Sequence, residues 1–136
     1  MKWIIYTDGA SRGNPGEAGA GAFLVSDSGK EIPLSHYLGI KTNNQAEYAA
    51  LVMGLAELKK HKVREVEIRA DSELMIRQLK GEYRIKNEGL IPYYERVKNL
   101  LESFEKVTFC HVPREENKKA DKLANEAIDF KDVLSH

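Results

Sequence analysis

The order in which strand and helix patterns follow one another limits the fold of this chain more than any other feature of its sequence. Residues 2–8 form a short strand pattern rich in β-branched and aromatic side chains. Two further strand patterns, at residues 20–26 and 31–38, flank Asp27-Ser28-Gly29-Lys30, a segment typical of a tight hairpin turn. The first three strands are therefore predicted to form an antiparallel meander.

Helix and strand patterns alternate through the rest of the chain. Thr42 or Asn43 caps the first helix, which runs to about His61, and Ser72 caps the second. The remaining patterns predict strands at 63–70 and 106–112 and helices at 72–80, 91–105 and 117–130. Strands separated by helices lie parallel through right-handed crossovers. We expect an α/β fold in a single domain of residues 1–136, with a five-stranded mixed sheet of three antiparallel and two parallel strands between flanking helices.

Glycines mark two places in this arrangement. Five of the ten glycines fall within residues 9–21 together with Asn14-Pro15, which predicts a sharply folded loop after the first strand. Gly54 interrupts the first helix, whose middle is otherwise apolar nearly all round. Because a helical glycine costs about 1 kcal/mol, Gly54 predicts a close approach of this helix to the sheet.

The composition is that of a soluble globular protein without net charge. Lysine plus arginine and aspartate plus glutamate both number 21, so binding to a polyanion depends on local basic segments at 80–86 and 118–122. The single cysteine, Cys110, excludes an intramolecular disulfide and is expected to be a small buried side chain. No Cys/His zinc spacing, signal peptide or membrane-spanning apolar stretch is recognisable. We expect a cytoplasmic monomer without membrane contact.

Aspartate is scarce in the chain, with six residues against fifteen glutamates, and its placement is informative. Asp8 and Asp71 each end a short apolar strand pattern, and in an open α/β sheet the carboxyl ends of strands border the ligand crevice. Two carboxylates brought there repel each other unless they are protonated or bridged by a cation. Hard divalent ions such as Mg²⁺ and Mn²⁺ prefer such oxygen ligands. Taken singly, either aspartate also fits a turn-closing role.

Two more acids extend this pair. Glu47 lies early in the first helix among apolar residues, and Asp121 lies early in the last helix. Each of them alone fits the preference of helix starts for acidic side chains. Four acids around one sheet edge instead favour a cluster that holds two cations roughly 4 Å apart, the arrangement used for in-line phosphodiester displacement.

Four segments resemble the signature segments of the type 1 ribonuclease H family. They are YTDGASRGNPG at residues 6–16, TNNQAE at 42–47, DS at 71–72 and NKKADKLA at 117–124, in the family's order and element context. The resemblance implies a ribonuclease H-like fold and endonucleolytic hydrolysis of the RNA strand of RNA–DNA hybrids, which leaves 5′-phosphate and 3′-hydroxyl ends. It also implies that the catalytic ligands of two Mg²⁺ or Mn²⁺ ions are Asp8, Glu47, Asp71 and Asp121.

The resemblance further implies a surface that binds the hybrid. Glycine backbone approaches the minor groove, where 2′-hydroxyls identify the RNA strand. The residues implied to face this groove are Gly9, Ser11, Asn14, Asn43 and Asn44. Thr42 and Asn87 correspond to positions that grip a phosphate of the DNA strand, with an aromatic residue nearby at Tyr83.

The loop before the last helix departs from the family pattern, because many members carry a histidine there and residues 112–117 contain none. His111 lies on the preceding strand and is expected to pack there. Arg114 is the candidate substitute, since a guanidinium can hold the scissile phosphate or the leaving oxygen. It stays protonated, which makes it unsuited to act as a general base. A solvated surface charge is the alternative role for Arg114.

Several alternatives stay open on the sequence alone. The connection at residues 80–89 is too short for the extra helix and basic protrusion of some family members, which predicts weaker hybrid binding. Such relaxed contacts leave open that double-stranded RNA is cleaved as well. A catalytically silent hybrid- or RNA-binding module would keep the fold, although the retention of all four acids argues against it. A DNA-directed nuclease of the recombinase or resolvase type generally needs large additions that this chain lacks.

Overall fold

The computed structural model describes residues 2–131, whereas Met1 and residues 132–136 of the C-terminal tail, to which the sequence assigns no role, lie outside it. Its elements follow in the order β1 (Lys2–Arg12), β2 (Gly16–Ser26), β3 (Glu31–Lys41), α1 (Asn43–Lys60), β4 (Glu65–Ala70), α2 (Glu73–Leu79), α3 (Ile91–Leu101), β5 (Lys106–His111) and α4 (Lys118–Asp129). A short 3₁₀ turn at Arg114–Glu116 lies between β5 and α4.

The five strands form one mixed sheet in the order β3-β2-β1-β4-β5. β2 pairs antiparallel with both β1 and β3, whereas β4 lies parallel to β1 and β5 lies parallel to β4. The predicted fold class is therefore confirmed, since a three-stranded meander is extended by two parallel strands and flanked by helices. No helix within residues 2–131 combines the length and the apolar character that crossing a lipid bilayer requires.

The hydrophobic core lies between the sheet and α1. Ile5, Leu24, Leu51 and Leu55, from β1, β2 and α1, are fully buried there. α3 packs on α1, while α4 packs on the opposite face of the sheet against β1, β2 and β3. β1, the strand that carries Asp8, is therefore held between helices on both of its faces.

The glycine-rich segment is not the loop that the sequence predicts. β1 and β2 both extend until only residues 13–15 connect them. A Cβ atom at Gly9 would lie 2.3 Å from the backbone of Ala46 in α1. A Cβ atom at Gly19 would lie 2.2 Å from the carbonyl oxygen of Ala124 in α4. The prediction was wrong because these glycines lie in strands and allow helix backbones to contact the sheet directly.

Other local predictions are confirmed. A Cβ atom at Gly54 would lie 3.1 Å from Cγ2 of Ile5, so α1 closely approaches β1 at that position. Thr42 caps α1, because its hydroxyl accepts a hydrogen bond from the N–H of Gln45 at 3.2 Å and its own N–H donates to Gln45 Oε1 at 3.0 Å. Ser72 caps α2 in the predicted position.

Two predictions near β5 were wrong. α3 ends at Leu101, about one turn before the predicted end at residue 105. The N–H groups of Glu105 and Lys106 both donate to the carbonyl of Arg64, which takes the chain out of the helix and into β5. Cys110 is half-buried and not buried, because β5 is an edge strand.

Candidate active site

The register between β1 and β4 brings the first two carboxylates together. Thr7 and Ala70 are the last paired residues of these parallel strands, and Asp8 and Asp71 are the next residue on each chain segment. The prediction that the first strand stops at Asp8 was wrong, since β1 continues against β2 as far as Arg12. What stops at Asp8 is the pairing with β4, so both aspartates enter the same edge of the sheet.

Glu47 reaches this edge from α1. The ideal Cβ position of Gly9, the residue after Asp8, lies 2.3 Å from the backbone nitrogen of Glu47. A side chain at residue 9 would push α1 away from the strand. Gly9 therefore sets the distance between Glu47 and the aspartates.

Asp121 reaches the same edge from α4, on the opposite face of the sheet. Gly21 is the antiparallel partner of Asp8 on β2. Its ideal Cβ position lies 2.3 Å from the carbonyl oxygen of Ala120, so the first turn of α4 rests directly on β2. Asp121 lies in that first turn.

All four carboxylates line one open cleft of about 550 Å³. The other polar side chains along its wall are Ser11, Asn43, His111, Arg114 and Asn125. A separate cavity of about 330 Å³, beside Tyr6, Phe23 and Lys119, holds none of the four acids. The structure thus gathers the acids that the sequence singles out, together with Arg114.

Burial and mutual repulsion make the charged form of this cluster unfavourable. Burial, followed by the charges of Asp71, Asp121 and Glu47, raises the pKa of Asp8 to about 8. Burial also raises the pKa of Glu47 to about 7, against the opposing hydrogen bond with Ser72. In addition, Glu47 Oε2 is buried and has no hydrogen-bond partner within residues 2–131. A buried oxygen of this kind is costly unless a proton or a cation satisfies it.

The donor set of the cleft fits a hard divalent cation. Among the described residues, no three acidic, histidine or cysteine side chains are gathered into a closed cage for an ion. Mg²⁺ typically keeps several waters and binds one or two carboxylates together with substrate phosphates, so it suits an open cleft of oxygen donors. The unpartnered oxygen of Glu47 and the raised pKa of Asp8 are both features that a positive charge would relieve.

The segment after β5 places two basic side chains in the cleft. Arg114 is exposed at the start of the 3₁₀ turn and lines the cleft, a placement compatible with both of the roles that the sequence leaves open for it. His111 is also exposed and lines the cleft, so the prediction that it packs on the strand was wrong. The reason is that β5 ends there, and the following residue, Val112, takes the buried position at 5% exposure.

The predicted groove-binding residues form one surface beside the cleft. Asn14, in the β1–β2 connection, accepts a hydrogen bond on Oδ1 from the N–H of Asn43 at 3.0 Å. The hydroxyl of Ser11 donates to the carbonyl of Lys41 at 2.7 Å. These contacts tie the connection to the start of α1, where Asn44 follows.

Of the three remaining predicted binding residues, Thr42 caps α1, and Asn87 and Tyr83 differ in their placement relative to it. Asn87 Oδ1 accepts from the N–H of Gly89 at 2.8 Å, and the carbonyl of Gly89 accepts from Gln45 at 3.4 Å. Asn87 therefore lies near the helix start that Thr42 caps. Tyr83 is half exposed and lies under the guanidinium of Arg77, outside the lining of the carboxylate cleft.

Comparison with known proteins identifies the family. A family model described as reverse transcriptase-like matches residues 6–127. Ribonuclease HI of Halobacterium salinarum is 43% identical over 125 residues, which are 91% of this chain and 63% of that protein. The crystal structure of RNase H1 from this archaeon matches with a TM-score of 0.90 at 41% identity, over 95% of this chain and 98% of that one. The chain belongs to the type 1 ribonuclease H family.

Two further similar proteins are a solved structure with bound nucleic acid and a longer bacterial protein. LC11-RNase H1, solved in complex with an RNA/DNA hybrid, has a TM-score of 0.89 at 41% identity, over 95% of this chain and 98% of that one. The bifunctional protein Rv2228c of Mycobacterium tuberculosis is 38% identical over 131 residues, which are 95% of this chain. This ribonuclease H chain spans 63% of the archaeal relative and 36% of the mycobacterial one.

Two asparagines support the carboxylates and were missed by the sequence reasoning: Asn117, directly before α4, and Asn125 within it. Asn117 is 1% exposed, and its Nδ2 donates to the carbonyl of Thr7 at 2.8 Å and to Asp71 Oδ2 at 3.4 Å. Asn125 Nδ2 donates to Asp121 Oδ1 at 3.2 Å. The signal that could have found them is their spacing of four residues on either side of Asp121, which places all three on one helix face.

Proposed function

We propose that this ribonuclease H chain is a metal-dependent endonuclease that hydrolyses the RNA strand of RNA–DNA hybrids. One observation carries the proposal: the four carboxylates converge in one cleft, beside the surface where Asn14 and Asn43 are hydrogen-bonded to each other. The carboxylates are Asp8, Glu47, Asp71 and Asp121. Family membership and the hybrid complex of LC11-RNase H1 support the substrate class.

The four carboxylates are proposed as the ligands of two Mg²⁺ or Mn²⁺ ions. When bound, these ions supply an activated water and a positive charge for the leaving oxygen. Asp8 and Glu47 must release their protons before they can bind a cation, because each has a pKa near or above neutrality. Asn117 keeps Asp71 at the strand end by donating to its Oδ2.

Hydrolysis forms a bond between the water oxygen and the scissile phosphorus and breaks the bond from phosphorus to the 3′ oxygen. The products are therefore a 5′-phosphate and a 3′-hydroxyl. Arg114 lines the cleft and is proposed to hold the scissile phosphate or the leaving oxygen through its guanidinium. Because it stays protonated, it acts as a positive charge and not as a base.

The hybrid is proposed to lie across the β1–β2 connection and the start of α1. Gly9, Ser11, Asn14, Asn43 and Asn44 would contact the minor groove, where the 2′-hydroxyls of RNA are accessible. Thr42 and Asn87 lie near each other through Gln45 and Gly89, a placement that supports a shared grip on one DNA phosphate. Tyr83 would contact the same strand farther from the cleft.

A cleavage assay on labelled substrates tests this function. The hybrid, double-stranded RNA, double-stranded DNA and branched DNA are each incubated with Mg²⁺, with Mn²⁺ or with EDTA. We expect cleavage of the RNA strand of the hybrid, dependent on the cation, with phosphate on the 5′ ends of the products. The double-stranded RNA arm measures whether the short 80–89 connection widens the substrate range.

Two outcomes would contradict the proposal. Binding of the hybrid without cleavage under any cation would make the chain a silent binding module. Preferential cleavage of branched DNA would make it a DNA-directed nuclease. The variant Asp71→Asn serves as the matched control in every arm, because it removes one proposed ligand charge at nearly constant volume.

A further inference from the structure

We propose that Asn125 is a positioning residue, which holds Asp121 in the cleft and connects it to Arg12 on the β1–β2 hairpin. The inference rests on the proposed function, because it concerns the placement of a proposed metal ligand. Neither Asn125 nor Arg12 belongs to the residues that the family resemblance singles out for a role in this chain.

The contacts of Asn125 run in both directions from one side-chain amide. Its Nδ2 donates to Asp121 Oδ1 at 3.2 Å and to the backbone carbonyl of Asp121 at 3.0 Å. Its Oδ1 accepts from Arg12 Nη2 at 3.3 Å. Arg12 lies 113 residues away in sequence, at the end of β1.

The chemistry of the two neighbours determines which way the amide faces. A guanidinium only donates hydrogen bonds, and an ionised carboxylate only accepts them. Asn125 Oδ1 must therefore face Arg12, while Nδ2 must face Asp121. A flipped amide would place donor against donor and acceptor against acceptor. The side chain thus presents a donor to Asp121 and limits the rotation of its carboxylate.

Arg12 is itself held in place from the next turn of α4. Its Nη2 forms an ion pair with Asp129 Oδ1 at 2.7 Å. The helix face therefore carries Asp121, Asn125 and Asp129 at four-residue spacing, and Arg12 joins this face to the hairpin. The tip of that hairpin carries Asn14, which belongs to the proposed hybrid surface. A hybrid seated on the hairpin would then act on Asp121 through Arg12 and Asn125.

A bond from an asparagine to the carbonyl four residues earlier is also a common local contact in helices. Such a contact by itself would affect helix stability and nothing else. The additional donation to Asp121 Oδ1 and the acceptance from Arg12 predict an effect on metal affinity and turnover. The two roles are therefore separable by measurement.

The experiment uses the full chain with the variants Asn125→Ala, Asn125→Leu, Arg12→Ala and the double variant Arg12→Ala/Asn125→Ala. The leucine variant keeps a side chain that branches at Cγ but carries methyl groups in place of the amide, so together with the alanine variant it separates the lost amide from lost packing. Glu126→Ala is the matched control, since Glu126 lies on α4 next to Asn125 and its side chain contacts Lys122 rather than the lining of the cleft. The readouts are the Mn²⁺ dissociation constant by calorimetry without substrate, kcat and KM for a hybrid, and the melting temperature in EDTA.

We expect the Mn²⁺ dissociation constant of both Asn125 variants to rise about tenfold and their kcat to fall about tenfold. This is the usual size of an effect from a residue that orients a metal ligand. KM and the melting temperature should change little, and the Glu126 control should match the wild type. The double variant should equal Asn125→Ala in Mn²⁺ affinity and kcat, because Arg12 acts through the amide.

Unchanged Mn²⁺ affinity and kcat in both Asn125 variants would overturn the inference. The inference would also be overturned if the losses of the two single variants added up in the double variant and the Arg12→Ala change affected KM alone. Arg12 would then contact the hybrid itself. The failure of the proposed function is distinguishable from these outcomes. If the wild type cleaves no hybrid, the Mn²⁺ titrations still decide whether Asn125 positions Asp121.

Discussion

Asp8 and Asp71 lie side by side because each is the first residue beyond the last pair that β1 and β4 form. Burial, and after it the nearby charge of Asp71, raises the pKa of Asp8 to about 8. The ionised form of this carboxylate cluster therefore destabilises the folded protein. Removing that charge, titrating it or pairing it with a cation should each have a measurable effect.

The variant Asp8→Asn should lose detectable hybrid cleavage and become more stable than the wild type in EDTA at alkaline pH. The amide keeps the volume and removes a charge that burial and three carboxylates oppose. A gain of 1 kcal/mol would raise the melting temperature by about 3 °C for a chain of this size. Asp71→Asn should likewise lose cleavage while staying folded. Glu105→Gln, at an exposed position away from the cleft, is the control. Retained cleavage in either aspartate variant would contradict the assignment of Asp8 and Asp71 as metal ligands.

The stability of the metal-free protein should fall as the pH rises between about 4 and about 8. The pKa of Asp8 is about 8 in the fold and 3.8 as an ordinary carboxyl, and that of Glu47 is about 7 against 4.5. Below this window both states are protonated at these groups, so no penalty arises. Within it the unfolded chain releases protons that the folded chain keeps, which favours unfolding. Urea titrations in EDTA at a series of pH values measure how the free energy of unfolding changes with pH. The prediction would be contradicted if this free energy rose between pH 6 and 8 in the wild type and Asp8→Asn did not alter the rise.

At a Mg²⁺ concentration below saturation, the rate of hybrid cleavage should rise from about pH 6 to about pH 9. Protons and the cation compete for Asp8 and Glu47, whose pKa values lie near 8 and 7. A higher Mg²⁺ concentration should therefore move the rising limb to lower pH. Initial rates at three Mg²⁺ concentrations across the pH range test this, and a limb that stays fixed would show that another group controls it.

The variant Arg114→Ala should lower kcat by about a hundredfold, the usual cost of losing one donor to the charge that develops in a phosphoryl or acyl transfer. Arg114→Lys should recover only part of the rate, because an ammonium lacks the planar fork of a guanidinium. His111→Ala is the neighbouring control, since His111 lines the same cleft. If His111→Ala abolishes turnover while Arg114→Ala does not, His111 and not Arg114 provides the basic group that the reaction needs.

The variant Gly19→Ala should destabilise the protein by about 3 kcal/mol or more, a severe case of overpacking. Its Cβ would lie 2.2 Å from the carbonyl oxygen of Ala124, which is backbone and has little room to yield. Gly29→Ala is the matched control, because its φ of 91° disfavours alanine, while within residues 2–131 no atom beyond its chain neighbours lies within 4 Å of the added Cβ. That control should cost about 1 kcal/mol from backbone conformation alone. Equal losses of free energy of unfolding in the two variants would show that α4 does not press on β2.

Local patterns predicted the caps and the mixed character of the sheet well, because they depend on residues close in sequence. Thr42 and Gln45 form their reciprocal cap within one turn, and the two crossovers follow from strands that helices separate. The glycines were misread for the same reason. Gly9 and Gly19 are explained by contacts with Ala46 and Ala124, which no local pattern contains.

His111 shows a second limit of pattern reading. Strand alternation alone cannot say which face of an edge strand is covered, and His111 proved to be exposed in the cleft beside Arg114. The placement of the chain at this point depends on where β5 stops and Val112 turns inward. That point is decided by packing and not by the residue types of the strand.

The amino-acid sequence by itself determined the mixed sheet, the four acids and the family, because strand and helix periodicity and short motifs are local properties of the chain. Only the tertiary structure decided that β1 runs past Asp8, that a buried oxygen of Glu47 finds no partner among the described residues and that Arg12 meets Asn125 across 113 residues. Those relationships depend on strand register and on the distance between helix and sheet. Both arise when the whole core packs, and no short stretch of the sequence encodes them.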